Sequence, residues 1–292
     1  MNDFQYSNSF KRKLLETMKA FDFFCKKNEI DYVAAYGTVI GAVRHKGLIP
    51  WDDDIDVFMD WKNYNRFLSL RANVSEIGYH IIDRRDDGYY LPMAKFVDTE
   101  STIWEHKRFP FVYGVYIDVF PLGYVNSISD SKRIHEKYKY HSIQLSKGYR
   151  KFDLSKQGIK YFIRYPIEVL DCLIERKNIL YHQLELDKLD YIITNISYGD
   201  YRMYYRSMDS FEHSLFCADW FRKSIRVPFE DFEISIPEGY HEYLSLCYGD
   251  YMTPPPIEKQ VSHHSHYYLN LKEKLSLEEV KRRIKKGEYI VY

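Results

Sequence analysis

The sequence predicts a mixed domain of strands and helices, of α/β or α+β class, followed by a largely helical region. Short apolar or alternating stretches recur between residues 31 and 120 with few helical segments between them, which is typical of a sheet. Residues 131–195 contain only three glycines or prolines and are rich in Lys, Glu, Leu, Ile and Tyr, which favours two or three long helices. We therefore expect one unit over residues 1–125 and a second over residues 126–292.

The first unit begins with a predicted helix at residues 9–28, because Leu14, Met18, Phe21 and Cys25 repeat at helical spacing. Strands are then predicted, in chain order, at residues 31–36, 54–59, 79–84, 92–98, 101–105 and 115–120. Two helical segments interrupt them, a turn at residues 39–44 and a helix at residues 61–72.

In the second unit Pro166 is expected to kink or start one of the long helices. Residues 224–236 resemble a hairpin, which we expect to pack back on the first unit. Helices are predicted at residues 239–248 and 277–286.

Composition excludes several classes of protein. Lys+Arg and Asp+Glu both number 42, so the chain has no basic excess and we expect no nucleic-acid partner. The four cysteines are scattered, which indicates reduced thiols and disfavours a disulfide framework or a zinc site. The sequence opens without a signal peptide and holds no run of 18 apolar residues, so we expect a cytoplasmic protein.

The stretch YGTVIGAVRHKGLIPWDDDIDVFM, residues 36–59, concentrates negative charge beside apolar residues. On a strand, Asp54 and Asp56 project from one face while Ile55 and Val57 point into the core. Crowded carboxylates are unfavourable unless a cation lies between them, and Mg²⁺ prefers such an all-oxygen shell. The spacing therefore predicts a metal site.

Two further features fit this prediction. Asp118 interrupts the apolar stretch VYIDVF and could join the pair from a neighbouring strand. Gly37 and Thr38 end a strand and open a helix, so their amides and hydroxyl could hold a phosphate. An alternative remains for part of the acidic stretch, since Asp52 and Asp53 could simply cap and solvate the loop.

The order Gly-Thr, Asp-x-Asp and a third acid is similar to the fingerprint of the nucleotidyltransferase fold of DNA polymerase β. The longer stretch GTVIGAVRHKGLIPWDDDIDVFM resembles the signature of the LicD family of phosphocholine transferases, which includes fukutin and fukutin-related proteins. The segments MAKFVDTESTIWEHKRFPFVYGVYIDVFPL and FEDFEISIPEGYHEYLSLCYGDYMTPPPIEKQVSHH resemble later blocks of that family.

This resemblance implies an α+β fold, with a nucleotidyltransferase-like mixed sheet, flanking helices and a largely helical C-terminal half. It implies a CDP-linked alcohol as donor and, as acceptor, a hydroxyl of a cell-surface glycan such as lipopolysaccharide, teichoic acid or capsule. Asp54 and Asp56 would bind Mg²⁺ or Mn²⁺, Asp118 would be the third acid, and Gly37 and Thr38 would hold donor phosphate. The alternative is a nucleotidyltransferase that uses a nucleoside triphosphate and releases pyrophosphate.

Four other residues are candidates for donor binding, and three of them have a simpler alternative. Arg44 and His45 would neutralise diphosphate charge, or they are surface cations on a loop. Lys95, near the lysine of the family's middle block, is a second cation for the same role. Trp51 would stack on cytosine, or it anchors the loop by packing.

Two segments have open interpretations. Residues 159–174, IKYFIRYPIEVLDCLI, form either a core helix or an interfacial helix on the cytoplasmic face of the membrane. The histidines of residues 263–266 either bind metal or belong to a loop.

Overall fold

The computed structural model describes residues 8–152, 163–262 and 266–292. The helices discussed below are α1 (Asn8–Lys27), α2 (Tyr36–Ile40), α3 (Trp61–Ser69), α4 (Arg71–Ser75), α5 (Ile128–Tyr149), α6 (Pro166–Lys177), α7 (Ile179–Thr194), α8 (Tyr240–Tyr248) and α9 (Leu277–Lys285). The strands are β1 (Val33–Ala34), β2 (Asp56–Asp60), β3 (Tyr79–Ile82), β4 (Ala94–Asp98), β5 (Thr102–Trp104), β6 (Tyr116–Val125), β7 (Tyr201–Met203), β8 (Leu215–Cys217), β9 (Ser224–Phe229), β10 (Phe232–Pro237), β11 (Tyr268–Asn270) and β12 (Ile290–Val291).

The central sheet is mixed, with the strand order β1-β2-β6-β4-β3. Strands β2 and β6 are parallel, and the other pairs in this order are antiparallel. The far end of β6 pairs with β7, and β7 pairs with β8. The predicted mixed sheet with flanking helices is confirmed, and the fold is α+β.

Strand β6 is the most enclosed element of the sheet, because all of its residues except Tyr124 are buried. Helix α1 covers this region with the face predicted from its spacing: Leu14, Met18, Phe21 and Cys25 are all buried. The Phe21 ring packs edge-on against Phe96 of β4, at 5.5 Å between centroids. A sheet buried in this way can tolerate a charged side chain only where a partner or a ligand compensates for it.

The C-terminal part of the chain contributes directly to the sheets around this core. Strand β11 pairs with β5, and the predicted hairpin forms as β9 and β10. Arg226 of β9 contacts Asp22 of α1 at 2.6 Å, and Ile234 and Ile236 of β10 belong to the main hydrophobic cluster. The hairpin thus packs on α1 and the central sheet.

The structure differs from the prediction in several elements. The predicted helix at residues 61–72 is interrupted at Leu70, which separates α3 from α4. Of the two predicted roles of Pro166, the structure shows the start of a helix, because its missing N–H costs nothing in the first turn. After Thr194 the chain forms short strands as well as helices, so the C-terminal half is less helical than predicted. These strands have two to six residues, and the shortest are too short to show a period.

Two buried arginines join the helical region to the sheet. Arg84 and Arg206 both donate to Asp190 Oδ2 of α7, at 2.5 and 2.8 Å, and the Tyr138 hydroxyl donates to the other carboxylate oxygen. Burial alone would raise the pKa of Asp190, but Arg206 and Arg84 hold it below its ordinary value. We call Arg84, Arg206 and Asp190 the structural charge cluster.

Within the described ranges, no helix is both long enough and apolar enough to cross a bilayer.

Candidate functional site

The predicted carboxylates Asp56 and Asp118 lie side by side on the two parallel strands at the centre of the sheet. Their Cα atoms are register partners of β2 and β6, and the Asp118 amide donates to Ile55 O at 2.9 Å. Ile55 and Val57 are fully buried, which confirms the predicted alternation. Residues paired in this way project from the same face of a sheet, so the two acids share one surface.

Lys95 occupies the next position in the same row, because it is the register partner of Asp118 on β4. Its ammonium donates to Asp118 Oδ1 at 2.7 Å and lies 3.3 Å from the ring centroid of Tyr116. Lys95 is buried, and its described contacts are with Asp118 and with tyrosine rings. The sequence analysis expected Lys95 to face the donor directly, whereas the structure places it as the partner of Asp118.

The protein disfavours the ionised form of both acids. Burial raises the pKa of Asp118 to about 6, although Lys95 opposes the shift. Burial, together with the charges of Asp54 and Asp118, raises the pKa of Asp56 well above its ordinary value. A cation bound between two such carboxylates would stabilise their ionised forms.

Asp54 lies just before β2, in a second group of carboxylates with Asp52 and Asp53. Among the described residues these three form a trio whose oxygens lie within 4.8 Å of one another. Asp53 is buried and accepts a hydrogen bond from the Ser262 hydroxyl at 2.7 Å, so the interpretation of Asp53 as a solvated loop residue is wrong. The sequence analysis left Asp52 outside the site, but its position in this trio makes it a candidate ligand.

The Gly37-Thr38 turn is fastened to the start of β2. Thr38 Oγ1 accepts a hydrogen bond from the Asp56 amide at 2.9 Å. A Cβ atom at Gly37 would lie 2.8 Å from Asp52 Oδ2, so a larger residue at this position would displace the end of the Asp52 side chain. Tyr36, just before the turn, has φ 46°, a strained value for an aromatic residue, and its amide donates to the Tyr243 hydroxyl.

The predicted donor-binding residues Arg44, His45 and Trp51 form a group of their own. Arg44 Nε donates to His45 Nε2 at 2.9 Å, and Arg44 Nη1 donates to Tyr251 O at 2.5 Å. Its guanidinium and the His45 ring lie 5.9 and 5.8 Å from the Trp51 ring. Arg44 and His45 end a π-helical turn, Gly41–His45, of a kind that is common at functional sites.

Two residues near the acids were missed by the sequence analysis. Burial raises the pKa of Tyr248 of α8, and nearby Cys247 and Asp56 add to the shift. Glu105 accepts a hydrogen bond from the Tyr116 hydroxyl at 2.5 Å, and its pKa is lowered to about 2 by Lys95 and by tyrosine hydroxyls, against the effect of burial. Neither shows a sequence signal, because both approach the site only through tertiary packing.

The predicted histidine cluster lies mostly outside the described residues, which exclude residues 263–265. His266 is described and buried, with its ring 5.7 Å from Phe10.

Comparisons with known proteins bear on this site. The family profile described as LicD/FKTN/FKRP, nucleotidyltransferase domain, matches residues 29–157. Over 261 residues the chain is 29% identical to the lipopolysaccharide cholinephosphotransferase LicD of Haemophilus influenzae. The aligned region covers 86% of this chain and 92% of that protein. Uncharacterized proteins of Rickettsia typhi and Rickettsia prowazekii are 30% and 28% identical over 134 residues, 45% of this chain and 40% and 48% of theirs. The matched range of the family profile contains every site residue predicted from the sequence.

Proposed function

We propose that the chain, which matches the LicD family profile over residues 29–157, is a LicD-type phosphotransferase and moves phosphocholine from CDP-choline to a hydroxyl of a cell-surface glycan. The observation that supports this most strongly is the row of Asp56, Asp118 and Lys95 on three adjacent strands. Together with the Gly37-Thr38 turn, it also supports assigning the sheet to the nucleotidyltransferase type of fold.

The chemistry of the carboxylates fits a hard divalent cation. Asp54, Asp56 and Asp118, with Asp52 beside Asp54, offer only oxygen ligands. Burial raises the pKa of Asp56 and Asp118, and the charges of Asp54 and Asp118 add to the shift at Asp56. We propose that these residues hold Mg²⁺ or Mn²⁺. When bound, the ion would offset the charge of a diphosphate and of the departing phosphate.

The reaction that we propose is a displacement at the distal phosphorus of the donor. The acceptor oxygen forms a bond to that phosphorus, the bond to the bridging oxygen breaks, and CMP leaves. The hydroxyl proton passes to a carboxylate, and we assign this role to Asp118. Lys95 fixes the orientation of Asp118 through the 2.7 Å contact, so we assign it as a positioning residue.

The donor would lie between the acids and the group formed by Arg44, His45 and Trp51. Arg44 can meet a diphosphate with a planar fork of donors, and Trp51 offers a ring for cytosine. Thr38, whose hydroxyl already accepts from Asp56, would contact a donor phosphate by donating its own proton.

One experiment separates this function from its rival. The protein is incubated with Mg²⁺ and a glycan acceptor, and with either CDP-choline or CTP. We expect CMP from CDP-choline and a gain of phosphocholine mass on the glycan. Release of pyrophosphate from CTP with a nucleotide added to the acceptor would instead assign a nucleotidyltransferase.

We further propose that α6 rests on the cytoplasmic surface of the membrane. The described part of the segment predicted as a core or interfacial helix is largely exposed: Ile167 is 83% exposed and Leu170 58%. Across residues 163–177 the most exposed side chains are apolar, tyrosine, proline or basic. Glu168 and Asp171 are partly exposed, but they pair with Arg150 and Lys147. An apolar face with cations, whose acids are paired, suits an anionic bilayer.

Vesicle sedimentation tests this surface. Ile167→Ser combined with Leu170→Ser should lower the affinity for phosphatidylglycerol vesicles at least about tenfold, because two apolar side chains no longer enter the lipid. Ile257→Ser combined with Met252→Ser removes comparably exposed side chains elsewhere and should have no effect. Equal binding of both variants would refute the proposal, as would a dimer in solution that only the α6 variant abolishes.

A further inference from the structure

A basic groove lies beside the candidate site, and neither the predicted donor residues nor the proposed metal ligands belong to it. Its volume is about 1050 Å³. Among the described residues that line it, one is acidic, Glu278, and six are basic: Lys107, Arg108, Lys151, Lys281, Arg282 and Lys285. The whole chain has no net charge, so this is a local concentration of cations and not a general basic character.

The cations of the groove come from separate parts of the chain. Helix α9 packs through Val280, which is fully buried, with Leu277 and Ile284 beside it, against Trp104 and Tyr268. The same packing turns Lys281 and Lys285, one helical turn apart, along the groove.

The floor of the groove is aromatic. Trp104 is buried, its indole N–H donates to Phe109 O at 2.6 Å, and its ring meets Tyr267 at 5.0 Å and 86°. A rigid pair of rings between cations offers flat apolar surface for a sugar face and charge for its anionic substituents.

The groove continues toward the acids. A second cavity of about 570 Å³ shares Lys107, Arg108 and Tyr267 with it and is also lined by Glu105. Glu105 contacts the Tyr116 hydroxyl, and the Tyr116 ring contacts the ammonium of Lys95, which holds Asp118. From Glu105, which lines the second cavity, Lys95 is therefore two side-chain contacts away and Asp118 three.

We infer that this groove binds the glycan acceptor and that it selects acceptors carrying phosphate groups. That the bound glycan is the acceptor rests on the proposed function, but the binding of the glycan to the groove does not depend on catalysis. The cations would pair with phosphates of the saccharide, and the hydroxyl to be modified would extend along the second cavity toward Asp118.

Calorimetry on the full chain, without donor or metal, tests the binding directly. The probes are a phosphorylated core oligosaccharide released from lipopolysaccharide and the same oligosaccharide after removal of its phosphates. We expect the phosphorylated form to bind at least tenfold more tightly, with an affinity that falls as salt is added. Lys281→Gln combined with Lys285→Gln should remove this preference.

The control is Lys272→Gln combined with Lys286→Gln, which removes the same charge from exposed positions of the same region outside the groove. Equal affinity for the two oligosaccharides, or equal losses in the two double variants, would overturn the inference. In turnover assays the groove variant should raise the KM for the acceptor about tenfold, while the KM for CDP-choline stays at the wild-type value. Selective binding of the phosphorylated oligosaccharide by a protein that never releases CMP would refute the proposed function and leave the groove inference intact.

Discussion

Asp118 and Asp190 are equally buried, each 7% exposed, but the protein treats their charges in opposite ways. Asp190 accepts from two arginines and a tyrosine, and its pKa lies below the ordinary value. Asp118 has one lysine, lies beside Asp56, and has its pKa raised to about 6. The protein itself balances the charge of the structural charge cluster, whereas burial disfavours the ionised forms of Asp56 and Asp118. We propose that a bound cation balances these two acids.

The largest expected effect comes from Asp56→Asn at the acid site. The substitution keeps the volume and removes one ligand charge, so transfer activity should fall at least about a hundredfold. Turnover measured at saturating Mg²⁺ checks this. A variant that keeps more than a tenth of wild-type activity would contradict the assignment of Asp56.

The same variant should be more stable than the wild type when no metal is present. Because the folded-state pKa of Asp56 is raised, its ionised form costs stability at neutral pH, and this cost disappears below the unfolded-state pKa. Relief of about 1 kcal/mol corresponds to a rise of about 2–4 °C in Tm. Thermal unfolding in EDTA at pH 7.5 and at acidic pH should show a gain only at the higher pH.

Asp190→Asn makes the same chemical change in the structural charge cluster and should have the opposite effect. It leaves Arg84 and Arg206 buried without their shared carboxylate, which costs about 3–5 kcal/mol. Since the pKa of Asp190 is lowered in the folded state, its contribution is complete at neutral pH and is lost as the pH falls through the acidic range. Denaturant unfolding at several pH values measures the difference, and a stability equal to that of the wild type at pH 7 would contradict this account.

Of the two substitutions expected to change catalysis, Arg44→Lys at the proposed donor site should have the smaller effect. Arg44→Lys keeps the charge but loses the planar fork, and one charge-assisted hydrogen bond contributes roughly 1.5–3 kcal/mol. The KM for CDP-choline should rise about ten- to a hundredfold, with the KM for the acceptor unchanged. Kinetics identical to those of the wild type would contradict a role of Arg44 in donor binding and leave it only structural contacts such as that with Tyr251.

The sequence predicted the acid site better than it predicted the structural charge cluster. Asp56 and Asp118 interrupt apolar strands, and an interruption of that kind can be recognised in the sequence alone. Arg84, Arg206 and Asp190 lie in a loop, a loop and a helix, where charged residues are ordinary, and only packing shows that they are buried. Lys95 was recognised as a cation, but its pairing with Asp118 depends on the register of β4 against β6.

The strands of the C-terminal part show the same limit. Strands β7, β8 and β11 have three residues each; β7 pairs with the end of β6, β11 pairs with β5, and β8 pairs with β7. Local pattern cannot predict β7 and β11, since their partners on β6 and β5 are more than 70 residues away in the sequence. Helix α1 was predicted to within one residue at each end, whereas β6 was predicted to end at residue 120 and continues to Val125.

A titration with Mn²⁺, followed by electron paramagnetic resonance, tests the central claim most directly, because it detects the cation without requiring turnover. The wild type should bind Mn²⁺ saturably, Mg²⁺ should displace it, and Asp56→Asn should weaken binding at least about tenfold, equal to about 1.4 kcal/mol. Asp190→Asn, measured under conditions in which it remains folded, should bind as the wild type does. Wild-type protein that leaves Mn²⁺ free in solution, or an Asp56→Asn variant that binds it unchanged, would contradict the assignment of these acids as a metal site.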